Sequence, residues 1–262
     1  MNLSFRERKA AGEKFAMLTA YDYPMARLLD ESGVDLVLVG DSLGMVVLGY
    51  PDTTSVTMEH MIHHCRAVVR GVKHAFVVAD LPIGSVDTPE LAVQNAMRLQ
   101  EAGAHGVKLE GGVSRCREIA AIVAAGIPVM GHIGMLPQRV RVEGGYKIKG
   151  KTPNEAEQLY TDAIAVEKAG AFAVVMELVR PEVARKITAT VTIPTIGIGS
   201  GPDCDGQVLV VHDLVGLFPW FTPKFATPRA RIAGSIQEAV QTFVRDTKGA
   251  DSLSSTESLS AA

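Results

Sequence analysis

Four short apolar runs in this chain each end on a carboxylate, and that pattern narrows the folds open to it. They are residues 36–41, ending on Asp41, then Phe76–Asp80, Gly106–Glu110 and Ala173–Glu177. Each is rich in aliphatic and β-branched residues and shorter than a helix, so each reads as a strand buried on both faces. An acid at the end of a buried strand costs free energy unless it meets a partner. When such strands lie parallel and side by side, their C-terminal ends share one face and the acids converge there. Crowded carboxylates repel one another and require a bound cation or a partly protonated member.

The rest of the chain alternates strand and helix. Residues 15–21 read as the first strand and 24–32 as a helix with Pro24 in its first turn. The second strand ends at Asp41, and 57–70 is a helix capped by Thr57. The third ends at Asp80, after which Thr88-Pro89-Glu90 opens a helix reaching Glu101. The fourth ends at Glu110, with a helix over 114–125, and the fifth covers 128–134. A helix over 154–169 leads to the sixth strand, ending at Glu177; 181–188 is helical and 194–200 is the seventh strand. The eighth strand is expected within 209–217, and an amphipathic helix over 229–247. Parallel, fully buried strands in this rhythm favour a closed (β/α)8 TIM barrel over an open doubly wound sheet. At 262 residues and 47% hydrophobic, the chain has the length such a barrel needs, roughly 250 residues. No composition break divides it, so a single catalytic domain over 1–250 is expected. Residues 251–262 are poor in bulky apolar groups and are expected to be a disordered tail.

A formal net charge of -3 gives no basic field for nucleic acid or an anionic membrane. No apolar stretch reaches the length of a membrane span. The charged N-terminus lacks a signal core, which points to the cytoplasm. Cys65, Cys116 and Cys204 are odd in number and far apart, as reduced thiols are, not a disulfide framework or a zinc site.

Asp41, Asp80 and Glu110 end strands two, three and four and so are neighbours at the barrel mouth. All-oxygen ligation suits a hard cation, Mg2+ first among them; a lone acid in such a place would instead cap a loop or pair with an arginine. Lys108 stands two residues before Glu110 and shares its face. It holds either a substrate carboxylate or a structural ion pair. His132, between Gly131 and Gly134, is either a hydrogen-bonded core residue or a ligand contact. His60, His63 and His64 have a spacing that permits zinc, but no third ligand type follows, and a solvated helix face explains them as well. The glycine run 196–201 fits a phosphate grip or a tight turn. The long connection 131–151 fits a lid, a binding loop or a mobile surface loop.

Several stretches together resemble the ketopantoate hydroxymethyltransferase family. They are 19–23 (TAYDY), 39–45 (VGDSLGM), 79–82 (ADLP), 107–112 (VKLEGG), 131–138 (GHIGMLPQ) and 144–147 (GGYK). The run 196–201 (IGIGSG), 205–207 (DGQ) and 223–225 (PKF) extend the likeness, which covers residues 15–226 in order. Met135, Leu136, Ser200 and the tail depart from the family pattern. The resemblance implies a barrel of the phosphoenolpyruvate/pyruvate superfamily and a homo-oligomer, typically a decamer. It implies transfer of a one-carbon unit from 5,10-methylenetetrahydrofolate to 3-methyl-2-oxobutanoate, giving 2-dehydropantoate on the way to pantothenate and coenzyme A. By position it makes Asp41 and Asp80 ligands of Mg2+, with Glu110 in or near the shell. Asp41, Ser42, Asp80, Lys108 and His132 become substrate contacts, and Glu177 the general base. A folate-independent carbon–carbon lyase and a non-catalytic keto-acid sensor remain as other readings.

Overall fold

Eight strands, each parallel to the next, close on themselves in chain order in this computed structural model, which describes residues 4–249. They are β1 (Phe15–Thr19), β2 (Leu36–Val39), β3 (Phe76–Asp80), β4 (Gly106–Glu110), β5 (Val129–Gly134), β6 (Ala173–Glu177), β7 (Thr195–Ile198) and β8 (Gly206–Leu209). The helices are α1 (Phe5–Ala10), α2 (Tyr23–Glu31), α3 (Leu43–Val46), α4 (Met58–Gly71), α5 (Pro89–Glu101) and α6 (Cys116–Ala124). They continue with α7 (Val140–Glu143), α8 (Pro153–Lys168), α9 (Pro181–Thr190), α10 (Val211–Val215) and α11 (Ile232–Lys248). The expected (β/α)8 barrel is the one found. The chain divides into two compact units, residues 1–211 and 212–262. The first holds the whole barrel. The expectation of a disordered tail concerns 251–262, outside the described residues.

Local signals explain where the helices begin. Asp22 accepts a hydrogen bond from the Met25 amide, Thr57 from His60, Thr88 from Leu91 and Thr152 from Glu155. Each bond satisfies one of the free amides of a first turn, and proline stands in that turn in α2, α5 and α8. The strands are buried along their whole length in β2, β4 and β6. One face of each fills the barrel, and the other lies under helices.

The eighth strand corrects the sequence reading. It is Gly206–Leu209, while Val211–Val215 is the helix α10. The strand carries a glycine and an exposed Gln207, so it lacks the apolar run that marks the others. The Val211 amide donates to Thr19 Oγ1 at 3.0 Å as the strand ends.

The barrel interior is filled from alternate residues of different strands. Met17, Leu36, Leu38, Val78, Met130, Val175, Ile196 and Val208 form one cluster. Its N-terminal end is closed by an aromatic group that the sequence reading did not foresee. Phe5 of α1 lies 5.9 Å from Phe15, 5.3 Å from Phe76 and 5.0 Å from Phe172, ring centre to ring centre. Ser4 and Glu7 make a reciprocal capping box that holds α1 in place for this contact.

The unit from residue 212 onward includes α11, whose Ile232, Ile236, Val240, Phe243 and Val244 are all exposed. Within it the Arg229 amide donates to the Leu214 carbonyl at 2.7 Å.

Barrel closure depends on the absence of a side chain at 206. A Cβ there would stand 2.6 Å from the Phe15 carbonyl oxygen and 2.7 Å from Ile196 Cδ1. Gly206→Ala is expected to destabilise the protein by about 1–3 kcal/mol through overpacking. That corresponds to a thermal midpoint lower by roughly 2–4 °C per kcal/mol, read by calorimetry or circular dichroism. An unchanged midpoint would show that β8 does not lock the closure.

Candidate active site

Side chains alternate along a strand, so residues two apart point the same way. Lys108 and Glu110 therefore share one face of β4. Asp80 is paired in register with Lys108, and Glu110 with His132. Asp80, Glu110 and Glu177 are the last residues of β3, β4 and β6, and Lys108 and His132 stand two residues before the ends of β4 and β5. Asp41 lies two residues beyond β2, in the turn before α3. Asp41, Asp80, Lys108, Glu110, His132 and Glu177 are all buried.

The geometry ties them into one network. Lys108 Nζ is 3.0 Å from Asp80 Oδ1 and 3.2 Å from His132 Nδ1. Asp80 Oδ2 accepts the Asp41 amide at 2.9 Å. His132 Nδ1 is 3.5 Å from Glu110 Oε1, and its Nε2 is 3.3 Å from Glu177 Oε2. That last approach falls short of hydrogen-bond alignment, and Nε2 is buried without a partner among the described residues.

Lys108 brings one positive charge among four carboxyls. Burial opposes its charge, but Asp80, Glu110 and Asp41 outweigh that and hold its pKa above the ordinary lysine value. The ammonium thus donates to His132 Nδ1. Burial and the neighbouring ammonium push the His132 pKa down, so the ring is neutral and carries its proton on Nε2, toward Glu177. Burial raises the Glu177 pKa, only partly offset by His132. Asp41 is pushed well above the usual carboxylate range by burial and by Asp80 and Glu110. Glu110 is raised to about 7, chiefly by burial.

Among the described residues, no three His, Cys, Asp or Glu side chains are drawn together as a ready metal cage. The donor set nonetheless fits Mg2+, an ion held through one or two carboxylates that keeps several waters. The donors are all oxygen, Glu110 Oε1 is buried without a hydrogen bond, and Asp41 is under repulsion that a cation would relieve.

Three residues around the network were not singled out from sequence. Gln138, in the turn after β5, donates from Nε2 to Asp41 Oδ2 at 2.9 Å and to the Leu81 carbonyl at 3.0 Å. Its own amide donates to Glu110 Oε2 at 3.1 Å. Tyr21 and Ser42 share a hydrogen bond of 2.8 Å between their hydroxyls. Tyr146, half-exposed after the Gly144–Gly145 pair, has its pKa raised by burial and by the Glu177, Asp41 and Glu110 carboxylates. The only available signal for Gln138 and Tyr146 was their place in family-like stretches.

Other candidates fall outside the network. His60 completes the α4 capping box, His64 Nδ1 is 2.6 Å from the Tyr21 carbonyl, and the His63 ring stands against His64. The glycine run packs tightly: a Cβ on Gly197 would stand 2.8 Å from Cys204 Sγ, and one on Gly201 would stand 2.8 Å from Pro181. The long connection after β5 is an ordered segment with one helical turn, fixed to the β2–α4 connection by Arg141, which forks onto Asp52 at 2.7 and 3.2 Å. Cys65, Cys116 and Cys204 are free thiols.

The family model described as ketopantoate hydroxymethyltransferase matches residues 2–251. The chain is 56% identical to 3-methyl-2-oxobutanoate hydroxymethyltransferase of Acetivibrio thermocellus over 94% of its own length and 87% of the relative's. It is 54% identical to the enzyme of that name from Ignicoccus hospitalis, over 92% and 91% of the two chains. Among solved structures, 2,3-dimethylmalate lyase, a PEP mutase/isocitrate lyase superfamily member, superposes with a TM-score of 0.64 at 17% identity. The match covers 96% of this chain and 90% of that one, a likeness of fold. The chain belongs to the ketopantoate hydroxymethyltransferase family.

Proposed function

We propose that this protein transfers a hydroxymethyl group from 5,10-methylenetetrahydrofolate to 3-methyl-2-oxobutanoate, giving 2-dehydropantoate for pantothenate and coenzyme A synthesis. Family membership supports the reaction. The observation that carries the mechanism is the buried Glu177 carboxylate set against a neutral His132 at the mouth of the barrel. A carboxylate whose pKa is raised by burial is a stronger base than one in water, and removing the C3 proton of a keto acid needs such a base. In this reading Glu177 takes that proton. His132 Nε2 faces the same carboxylate, 3.3 Å from its Oε2. Lys108 supplies charge for the substrate carboxylate, and Ser42 contacts the substrate from the β2 turn. Asp41 and Asp80 would hold Mg2+, with Glu110 in or near the shell and Gln138 orienting Asp41 and Glu110. Bound there, Mg2+ would supply Lewis acidity for the charge that develops on the keto oxygen.

We place the enzyme in the cytoplasm as a homo-oligomer, a decamer in the family's usual form. Among the described residues no helix is long and apolar enough to cross a membrane. The exposed apolar stripe of α11 is a surface that assembly would cover. Light scattering tests this against the chain mass of 27.9 kDa. The deciding experiment on chemistry follows the C3 proton of 3-methyl-2-oxobutanoate in D2O by NMR, with and without Mg2+ and the folate. Exchange without folate supports enolisation by this site. Binding of the keto acid without exchange under any condition would instead mark a sensor.

Glu177→Gln keeps size and removes the basic oxygen. We expect exchange and transfer to fall by roughly 100-fold, with keto-acid affinity held within a few-fold. Wild-type exchange in this variant would move the base elsewhere. Lys108→Met is expected to raise the keto-acid KM by about 10- to 100-fold, the scale of a lost charge-assisted hydrogen bond. A loss confined to kcat would make Lys108 a structural ion pair only.

Asp41, Glu110 and Glu177 bind protons more tightly in the folded state than carboxyls in the unfolded chain. They stabilise the fold below their unfolded pKa values, and that contribution is lost as pH rises through the raised folded values. Metal-free protein is expected to melt at higher temperature near pH 5.5 than near pH 8, on either side of the value of about 7 to which Glu110 is raised. Added Mg2+ should lift the midpoint more at the higher pH. An equal Mg2+ effect at both pH values would count against binding at these carboxylates.

A further inference from the structure

The backbone leaving β6 is bent sharply at the residue after Glu177. Leu178 has φ +49°, the left-handed region, and it alone among the described non-glycine residues has a positive φ. Such a conformation costs a residue with a Cβ free energy and persists only where its surroundings over-determine it. The hydrogen bonds of residues 176–179 show what does so. The Met135 amide donates to the Glu177 carbonyl at 2.8 Å, and the Leu178 amide donates to the Ile198 carbonyl at 2.9 Å. The Lys149 amide donates to the Leu178 carbonyl at 2.8 Å. Two further groups meet one side chain. Ser200 Oγ donates to the Met176 carbonyl at 2.7 Å and accepts the Val179 amide at 2.9 Å. Ser200 is 1% exposed, so no water replaces these bonds. Its single hydroxyl brackets Glu177 and Leu178 from both sides.

We propose that Ser200 is a positioning residue for the Glu177 base, holding the left-handed turn at Leu178 that aims the carboxylate at His132. This rests on the reading of Glu177 as the base. The bonds to this stretch of backbone from Met135, Lys149 and Ile198 are made by backbone groups, which a substitution does not remove. Ser200 does not reach the substrate pocket's charged groups itself; it fixes the peptide planes on either side of Glu177. Without the hydroxyl, the Val179 amide loses its buried acceptor and the turn is free to relax toward ordinary φ values. The Glu177 oxygen then spends less time in line with the reacting carbon.

The test is Ser200→Ala, assayed in D2O for C3 exchange of 3-methyl-2-oxobutanoate in the presence of Mg2+. The exchange rate is expected to fall about tenfold, within the range for a misplaced catalytic group, while KM stays within about twofold. In a Glu177→Gln background the same substitution should change the residual rate by less than about twofold, because the two act through one group. A purely structural role would lower the melting temperature without this split and would add its loss to that of Glu177→Gln. Should Ser200→Ala fail to fold, Leu178→Gly decides. Glycine accepts the left-handed region without strain but does not hold it, so the same loss of rate at constant KM is expected. Wild-type exchange in the folded variant, or full additivity with Glu177→Gln, overturns the proposal. If the wild-type protein itself does not exchange the C3 proton, the base assignment fails and this inference fails with it.

Discussion

The site is organised by one buried charge, the Lys108 ammonium at 3.0 Å from Asp80 and 3.2 Å from His132. A lysine inside a barrel is expensive to desolvate, and only close carboxylates offset that cost. This single placement sets the protonation of its neighbours. It forces an acceptor nitrogen on His132, which turns the ring proton toward Glu177. Burial first, and then an excess of carboxyls over the one ammonium, push Asp41, Glu110 and Glu177 toward their neutral forms. The resulting deficit of positive charge is the physical case for a cation at the mouth. Replacing Lys108 by an apolar residue would thus disturb the protonation of the whole cluster as well as any contact with substrate.

Much of this was legible in the sequence because two simple periods coincide. An apolar run ending in an acid gives both the buried strand and the position of its last side chain. Asp80, Glu110 and Glu177 were found that way, and the residue-on-residue alternation put Lys108 on the face of Glu110. Helix starts were legible because proline and threonine caps act within one turn, as at Thr57 and Thr88. The signal failed where tertiary pairing, not hydrophobicity, makes the element. β8 is a strand because β1 and β7 supply its hydrogen bonds, and its own residues do not announce it.

The groups missed were those placed by connections. Gln138 reaches Asp41 and Glu110 only because the turn after β5 folds back over the mouth. Tyr146 comes near the same acids after a pair of left-handed glycines. Nothing in local periodicity encodes a return path of that kind. The same holds for Leu178, whose unusual backbone is imposed by partners on three other segments.

Phe5 carries a consequence for synthesis on the ribosome. Its ring packs against residues at the start of β1, β3 and the sixth strand, the last of them Phe172. Phe15 follows ten residues behind, but Phe76 and Phe172 leave the exit tunnel long after Phe5 does. For most of translation the first helix therefore presents an uncovered aromatic group, and the barrel floor is completed only when more than half of the polypeptide has emerged. A growing chain with such an early, late-satisfied apolar group is a natural client for chaperones that bind exposed aromatic segments.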